Sequence, residues 1–177
     1  MPKVIRNRRV EDDARQIVRL AEGVTPETVS IPAGPVLVPL AVWQARTTEL
    51  AARGDVGVWL DAAEGAELIA ADLPKLAAVA VNFPAFTDGR GYSTAALLRT
   101  RHGYTGELRA IGDVLRDQFQ AYVRCGFDTL QPNDGRYTDA QLEAAIASLG
   151  DFSVPYQGAV DEPRPLWARA QREVRAS

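Results

Sequence analysis

Short apolar runs alternate with helical segments along most of this chain, and this alternation constrains the fold more than any other feature. The runs cover residues 36–38, 56–60, 76–83, 107–112 and 127–131. Continuous apolar runs are typical of strands buried on both faces, and such strands are usually parallel. The sequence therefore predicts an α/β fold with about five parallel strands alternating with helices. Both an open doubly wound sheet and a partial TIM-like barrel fit the pattern.

The pattern also predicts how the chain is divided. Residues 1–35 are interpreted as an N-terminal arm with a hairpin around Asn7, residues 36–157 as the α/β domain, and residues 158–177 as a Pro-rich, charged C-terminal tail. A chain of 177 residues that is 46% apolar is long enough for one domain with its own core.

Helix ends are marked by short motifs. The segments 101–104, "RHGY", and 124–127, "RCGF", each place a basic residue and then Gly before an aromatic residue, as a left-handed helix end requires. His102 and Cys125 are therefore interpreted as structural. Thr138 and Gln141 have the spacing of a capping box at the start of the last helix.

Composition excludes several classes of function. A net charge of −3 gives no basic surface for nucleic acid. With one Cys and one His, a single chain has no ligand set for an iron–sulfur cluster or a multi-histidine metal site, so we expect no metal or cofactor of its own. No apolar stretch approaches about 18 residues, so we expect no membrane segment and a cytoplasmic location.

The segment 88–94, "DGRGYST", lies at the carboxyl end of a predicted strand, where sites form in parallel α/β proteins. Asp-Gly favours a tight turn, and Ser93 is predicted to cap the next helix. Arg90 comes beside the start of that helix, where an anion is stabilised. The segment therefore predicts a turn that also contributes to a binding site.

The segment 112–118 lies at the same predicted edge. Asp113 is interpreted as a helix N-cap, whereas Arg116 in the first turn opposes the helix dipole unless an acid or a bound anion is near. We therefore predict one ligand-binding cluster from these two loops: Asp88, Arg90, Tyr92, Ser93, Asp113, Arg116 and Asp117. None of them is a nucleophile with a base beside it, so no catalytic residue is assigned. A second Asp-Gly-Arg, at 134–136, is left outside the site.

Residues 83–131 closely resemble the core of a bacterial family of unknown function that is often labelled an oxidoreductase involved in sulfite reduction. The matching motifs are "FTDGRGYS" at 86–93, "GELRA" at 106–110 and "GDVLRDQ" at 112–118. "GPVLVPLAVWQAR" near residue 34 and "DFSVPYQ" near residue 151 extend the resemblance. It implies a pathway, because the label rests on genes beside assimilatory sulfite reductase, but it supplies no catalytic residues.

Three functions follow from the residues and the resemblance. The first is an accessory protein of sulfite reduction that docks on the sulfite-reducing hemoprotein or its electron donor. The second is a small oxyanion-binding protein or enzyme that uses the predicted Asp/Arg cluster. The third is an oxidoreductase with a borrowed flavin or nicotinamide, although "DGRG" lacks the G-x-G-x-x-G spacing of a dinucleotide site.

Overall fold

The computed structural model describes residues 2–150 and 157–168, and the strands in these residues form one sheet of eight. The strands are β1 Lys3–Arg6, β2 Arg9–Asp12, β3 Gln16–Ile17, β4 Val36–Pro39, β5 Val56–Leu60, β6 Ala78–Phe83, β7 Glu107–Gly112 and β8 Thr129–Leu130. Their order across the sheet is β2-β1-β8-β7-β6-β5-β4-β3.

The five predicted parallel strands are confirmed as β4 to β8, each paired in parallel with the next. Spatial order follows chain order from β3 to β8, so the sheet has no point at which the winding reverses. Successive right-handed crossovers then carry the helices to the same face, and the sheet curls as a half-barrel. Of the two predicted alternatives, the structure has the barrel-like one.

Residues 1–35 are less separate than the predicted arm, because they supply three strands of the same sheet. The predicted hairpin is confirmed: β1 and β2 are antiparallel, and Asn7 and Arg8 form the turn with φ of 48° and 63°. β1 also pairs antiparallel with β8. β3, with two residues, pairs in parallel with β4 and is too short for the sequence pattern to predict.

The helices pack on the outer face of the half-barrel. They are α1 Leu40–Ala45, α2 Thr47–Ala51, α3 Arg90–Thr100, α4 Phe119–Arg124 and α5 Asp139–Ser148, with 3₁₀ helices at Ala66–Ile69, Leu73–Lys75 and Arg116–Gln118. The Thr138 capping box of α5 is confirmed, as is the left-handed Gly after α3 and α4, at Gly103 and Gly126. No helix within the described residues is long and apolar enough to span a lipid bilayer.

The inner face of the sheet has small side chains at its centre. Ala78 and Ala80 of β6 lie there, fully buried between Leu37 and Ile111. Small residues at these positions allow the neighbouring larger side chains to fill the inside of the curl. The centre of the inner face is therefore a buried apolar cluster.

At the amino ends of the strands this core is charged. Arg109 of β7 is fully buried and donates to the carboxylates of Asp13 and Glu107 and to Gln131 Oε1. Arg15 donates to Asp55 O, while its Nε is buried with no hydrogen-bond partner among the described residues. Because Asp13 lies between β2 and β3, the two edges of the sheet, this network ties the chain across the open side of the half-barrel.

The described part of the predicted tail packs on the domain. Val160 N donates to the carbonyl of Arg124 at the end of α4, at 2.9 Å. Residues 151–156 and 169–177, which include the end of the predicted tail, lie outside the described residues.

Candidate functional site

A polar cleft of about 450 Å³ opens at the carboxyl ends of the parallel strands. Its lining residues come from loops that follow β3, β6, β7 and β8, or from the last residues of those strands: Arg19, Asn82, Phe83, Pro84, Gly112, Asp113 and Asn133. The curl of the sheet brings the ends of the first and last parallel strands to one opening. This is the edge at which barrel-like α/β folds place their sites.

Asp88 and Arg90, both predicted for the site, form an ion pair within their own turn. Arg90 Nε and Nη2 donate to the two carboxylate oxygens of Asp88, at 2.9 and 2.6 Å. These hydrogen bonds lower the pKa of the Asp88 carboxyl. The Arg90 side chain is 63% exposed, so the pair lies on the surface at the rim of the edge.

Ser93 is not a helix cap, and this prediction is wrong. α3 begins at Arg90 with Gly89 as the N-cap residue, so Ser93 is an exposed residue in the first turn. The Asp88 carboxylate accepts from the backbone N of Arg90 at 3.2 Å and satisfies a free donor there. The helix therefore starts earlier than the Ser predicts.

Tyr92 lies on the outer, helical side of the sheet. Its ring packs against Phe83 and Tyr122, with centroids at 5.1 and 5.0 Å, and burial raises the pKa of its hydroxyl. It lines a separate cavity of about 930 Å³ between α3, α4 and residues 157–163, together with Asp117. Two of the predicted residues therefore lie away from the carboxyl-end cleft.

Asp113 joins two loops rather than capping a helix, and the N-cap prediction is also wrong. Its Oδ2 accepts from the backbone N of Phe86 and its Oδ1 from Nη1 of Arg136, both at 3.0 Å. The residue before the next helical turn is Leu115. Arg136, which sequence reasoning left out, is thus brought to the rim because its loop follows β8, the neighbour of β7.

Arg116 is exposed, and its side chain makes no ion pair with the residues that the structure describes. Its backbone N donates to the Tyr137 hydroxyl at 3.1 Å. Of the seven predicted residues, Asp113 lines the cleft. Asp88 and Arg90 pair with each other on the surface, and the others lie on the surface or on the helical side, so the seven form no single cluster.

Asn82 is the buried polar residue of the cleft, with 8% exposure, and sequence reasoning missed it. Its Nδ2 donates to Asp61 Oδ1 at 3.0 Å, which joins the ends of β5 and β6. A Cβ on Gly112 would lie 2.7 Å from Asn82 Oδ1, so the glycine leaves the space for this amide. An amide near the end of an otherwise apolar strand was the available signal.

Arg19 is the second missed residue. Its guanidinium lies over the Trp59 ring, 5.3 Å from the centroid, and Trp59 Nε1 donates to the carbonyl of Val18 at 2.9 Å. The Trp59 indole therefore binds the backbone carbonyl of the residue before Arg19 and also contacts the Arg19 guanidinium. Nothing in the local sequence distinguishes Arg19, because its position depends on β3 lying across the curl from β8.

The sequence model of a bacterial protein family of unknown function, DUF934, matches residues 57–167. The chain belongs to this family. No curated protein matches the chain. The resemblance seen in the sequence is thereby confirmed at the level of a bacterial family of unknown function.

In this DUF934 protein the family match includes Asn82, Gly112, Asp113 and Asn133, whereas Arg19 lies before it. Within residues 2–150 and 157–168, no group of three or more His, Cys, Asp or Glu side chains is placed to hold a metal ion. The edge can offer a guanidinium, amides and carboxylates. Groups of these kinds can form hydrogen bonds and ion pairs with a polar ligand or with a partner surface.

Proposed function

We propose that this DUF934 protein is an accessory protein of assimilatory sulfite reduction that docks on the sulfite-reducing hemoprotein or on its electron donor. The pathway comes from the resemblance of residues 83–131. The docking role is supported by one observation, an aromatic side chain displayed at the carboxyl edge.

That side chain is Phe86, which is 51% exposed in the loop after β6. Its backbone is held on both sides: its N donates to Asp113, and its carbonyl accepts from Gln118 Nε2 at 3.2 Å. An exposed aromatic ring on a held backbone loses little conformational entropy on binding, which is typical of an interface anchor.

Two charged side chains come near this loop: Arg90 is four residues along the chain from Phe86, and Arg136 binds the Asp113 carboxylate that accepts from the Phe86 backbone. Arg90 and Arg136 are 63% and 41% exposed, and each is held by a carboxylate that is more buried than the arginine itself, Asp88 and Asp113. Charges at the edge of an interface accelerate association and fix its orientation more than they add affinity. The arrangement fits a protein interface in which an apolar anchor residue is surrounded by a polar rim.

The test is binding of the purified full-length chain to the hemoprotein and, separately, to its electron donor. Phe86→Ala should weaken the complex at least ten-fold, about 1.4 kcal/mol. Leu68→Ala is the matched control, because Leu68 is 48% exposed on the 3₁₀ helix Ala66–Ile69, and it should bind like the wild type. Docking by this edge is wrong if Phe86→Ala binds as tightly as the wild type.

Growth tests the pathway. A strain that lacks the protein should grow slowly with sulfate or sulfite as the sulfur source and normally with sulfide, and Phe86→Ala should restore growth less than Leu68→Ala. Equal growth of the deletion strain on all three sulfur sources would contradict the proposed pathway.

A further inference from the structure

The cleft at the carboxyl ends contains one arginine whose charge no carboxylate balances. The described residues form no ion pair with Arg19, whose guanidinium rests on Trp59. Of the other arginines of this edge, Arg90 and Arg136 are paired, with Asp88 and Asp113 respectively. Arg116 forms no ion pair with the described residues, but it does not line the cleft. Arg19 is therefore the cation left to a ligand. We infer that the cleft binds a small oxyanion, with Arg19 as the counter-charge.

The one carboxylate that lines the cleft, Asp113, does not oppose an anion there. Each of its oxygens already accepts a hydrogen bond, from the Phe86 backbone and from Arg136. The negative charge of Asp113 is balanced by Arg136. An anion beside Arg19 therefore meets a compensated carboxylate and an uncompensated guanidinium.

Two amides complete the recognition. Asn82 is buried at the bottom, its orientation held by Asp61, and Asn133 borders the cleft from the loop after β8. Amide N–H groups and a guanidinium fork are the donors that planar or tetrahedral oxyanions accept from. Because Asn82 and Arg19 are each held by a neighbour, they are arranged before a ligand arrives.

The cleft volume, about 450 Å³, exceeds that of a sulfate-sized ion. The anion therefore binds with water, or as part of a larger polar molecule. The choice of sulfite and sulfate as first probes rests on the proposed function, whereas the anion-binding chemistry does not.

The experiment is calorimetric titration of the full-length protein with sodium sulfite, sulfate and phosphate in a buffer of matched chloride ionic strength. At least one of the three should bind saturably at one site per chain. Arg19→Gln should weaken that binding at least ten-fold, and Asn133→Ala by a smaller factor. Arg101→Gln, an exposed arginine at the far end of α3, is the matched control and should bind like the wild type.

Circular dichroism and thermal unfolding establish whether each variant is folded. If Arg19→Gln does not fold, Asn133→Ala, at an exposed position, still tests the cleft. The inference is overturned if none of the three anions binds, or if folded Arg19→Gln binds as the wild type does. Phe86, on which the docking proposal rests, does not line the cleft, so docking and anion binding are tested at different residues. If docking fails while anion binding is intact, the proposed function is therefore wrong and the inference that the cleft binds an anion stands.

Discussion

At the scale of single residues, the site depends on Gly112 as much as on the charged side chains. This glycine has a φ of 93°, a conformation that other residues avoid. A Cβ there would lie 2.4 Å from the carbonyl oxygen of Phe83 and 2.7 Å from Asn82 Oδ1. The absence of a side chain therefore permits both the turn after β7 and the buried amide of the cleft.

Replacing Gly112 by Ala should lower the free energy of unfolding by about 3 kcal/mol, because backbone strain and a steric clash add. Gly103→Ala is the control: its φ of 63° is also positive, but nothing lies within 4 Å of its added Cβ. It should cost only about 1 kcal/mol. Urea unfolding of both variants measures the difference, and equal losses would show that the close contacts of the added Cβ with Phe83 O and Asn82 Oδ1 are unimportant.

At the scale of elements, α3 and α5 begin differently although similar sequences lie around their first residues. "DGRGYST" and "DGRYTD" share Asp-Gly-Arg, an aromatic residue and a Ser or Thr. Thr138 and Gln141 form a capping box, in which each side chain binds the backbone N–H of the other residue. The residue three after Ser93 is Ala96, whose side chain cannot form such a hydrogen bond. The start of α3 is instead satisfied by the Asp88 carboxylate.

Thr138→Ala should therefore lower the free energy of unfolding by about 1 kcal/mol, through loss of the cap. Ser93→Ala should change it by less than about 0.5 kcal/mol, because Ser93 lies exposed within the helix. Thermal unfolding at constant pH compares the two. A loss at Ser93 as large as that at Thr138 would mean that Ser93 has a stabilising role.

At the scale of the whole molecule, the half-barrel is held by its charged interior at one end and is open at the other. Arg109 and its partners fill the amino ends of the strands, and Asp13 fastens the segment that joins β2 to β3. The cleft at the carboxyl ends is lined by none of these residues, although Gln131, which accepts from Arg109, directly follows β8. The charged network and the cleft are therefore formed by different residues of the sheet and its loops.

The Asp13 carboxyl makes stability depend on pH. Burial raises its pKa, but the hydrogen bond from Arg109 and the charges of Arg109 and Arg6 lower it further than burial raises it, below the ordinary 3.8. A lowered folded-state pKa stabilises the protein above the unfolded-state value, and this stabilisation is lost as pH falls through the folded-state value. The wild type should therefore lose stability below about pH 4.

Asp13→Asn should cost about 2 kcal/mol at pH 7, because the buried Arg109 loses one of its two carboxylate partners and keeps only Glu107. Its stability should also fall less steeply below pH 4 than that of the wild type. Asp88→Asn is the control, since Asp88 pairs with an exposed arginine and such pairs contribute little. Urea midpoints from pH 3 to 7 measure both, and an unchanged acid slope in Asp13→Asn would contradict the role of Asp13.

Much of the fold was predictable because its signals are local. Burial on both faces makes a strand continuously apolar, so β4 to β8 were visible in the sequence, as were the capping box at Thr138 and the glycines that end α3 and α4. Each of these features is determined by neighbours within a few residues along the chain.

The tertiary structure decided what depends on distant segments. The choice of a half-barrel follows from the order of the strands, and that order brings Arg19 after β3 and Asn133 after β8 to one cleft. It also brings Arg136 to Asp113, while the packing of α3 turns Tyr92 to the outer side. The sequence by itself determined which segments become strands and helices, since propensity and patterning act locally. The composition of the cleft was determined only by the curl of the sheet, because that curl sets which strand ends meet.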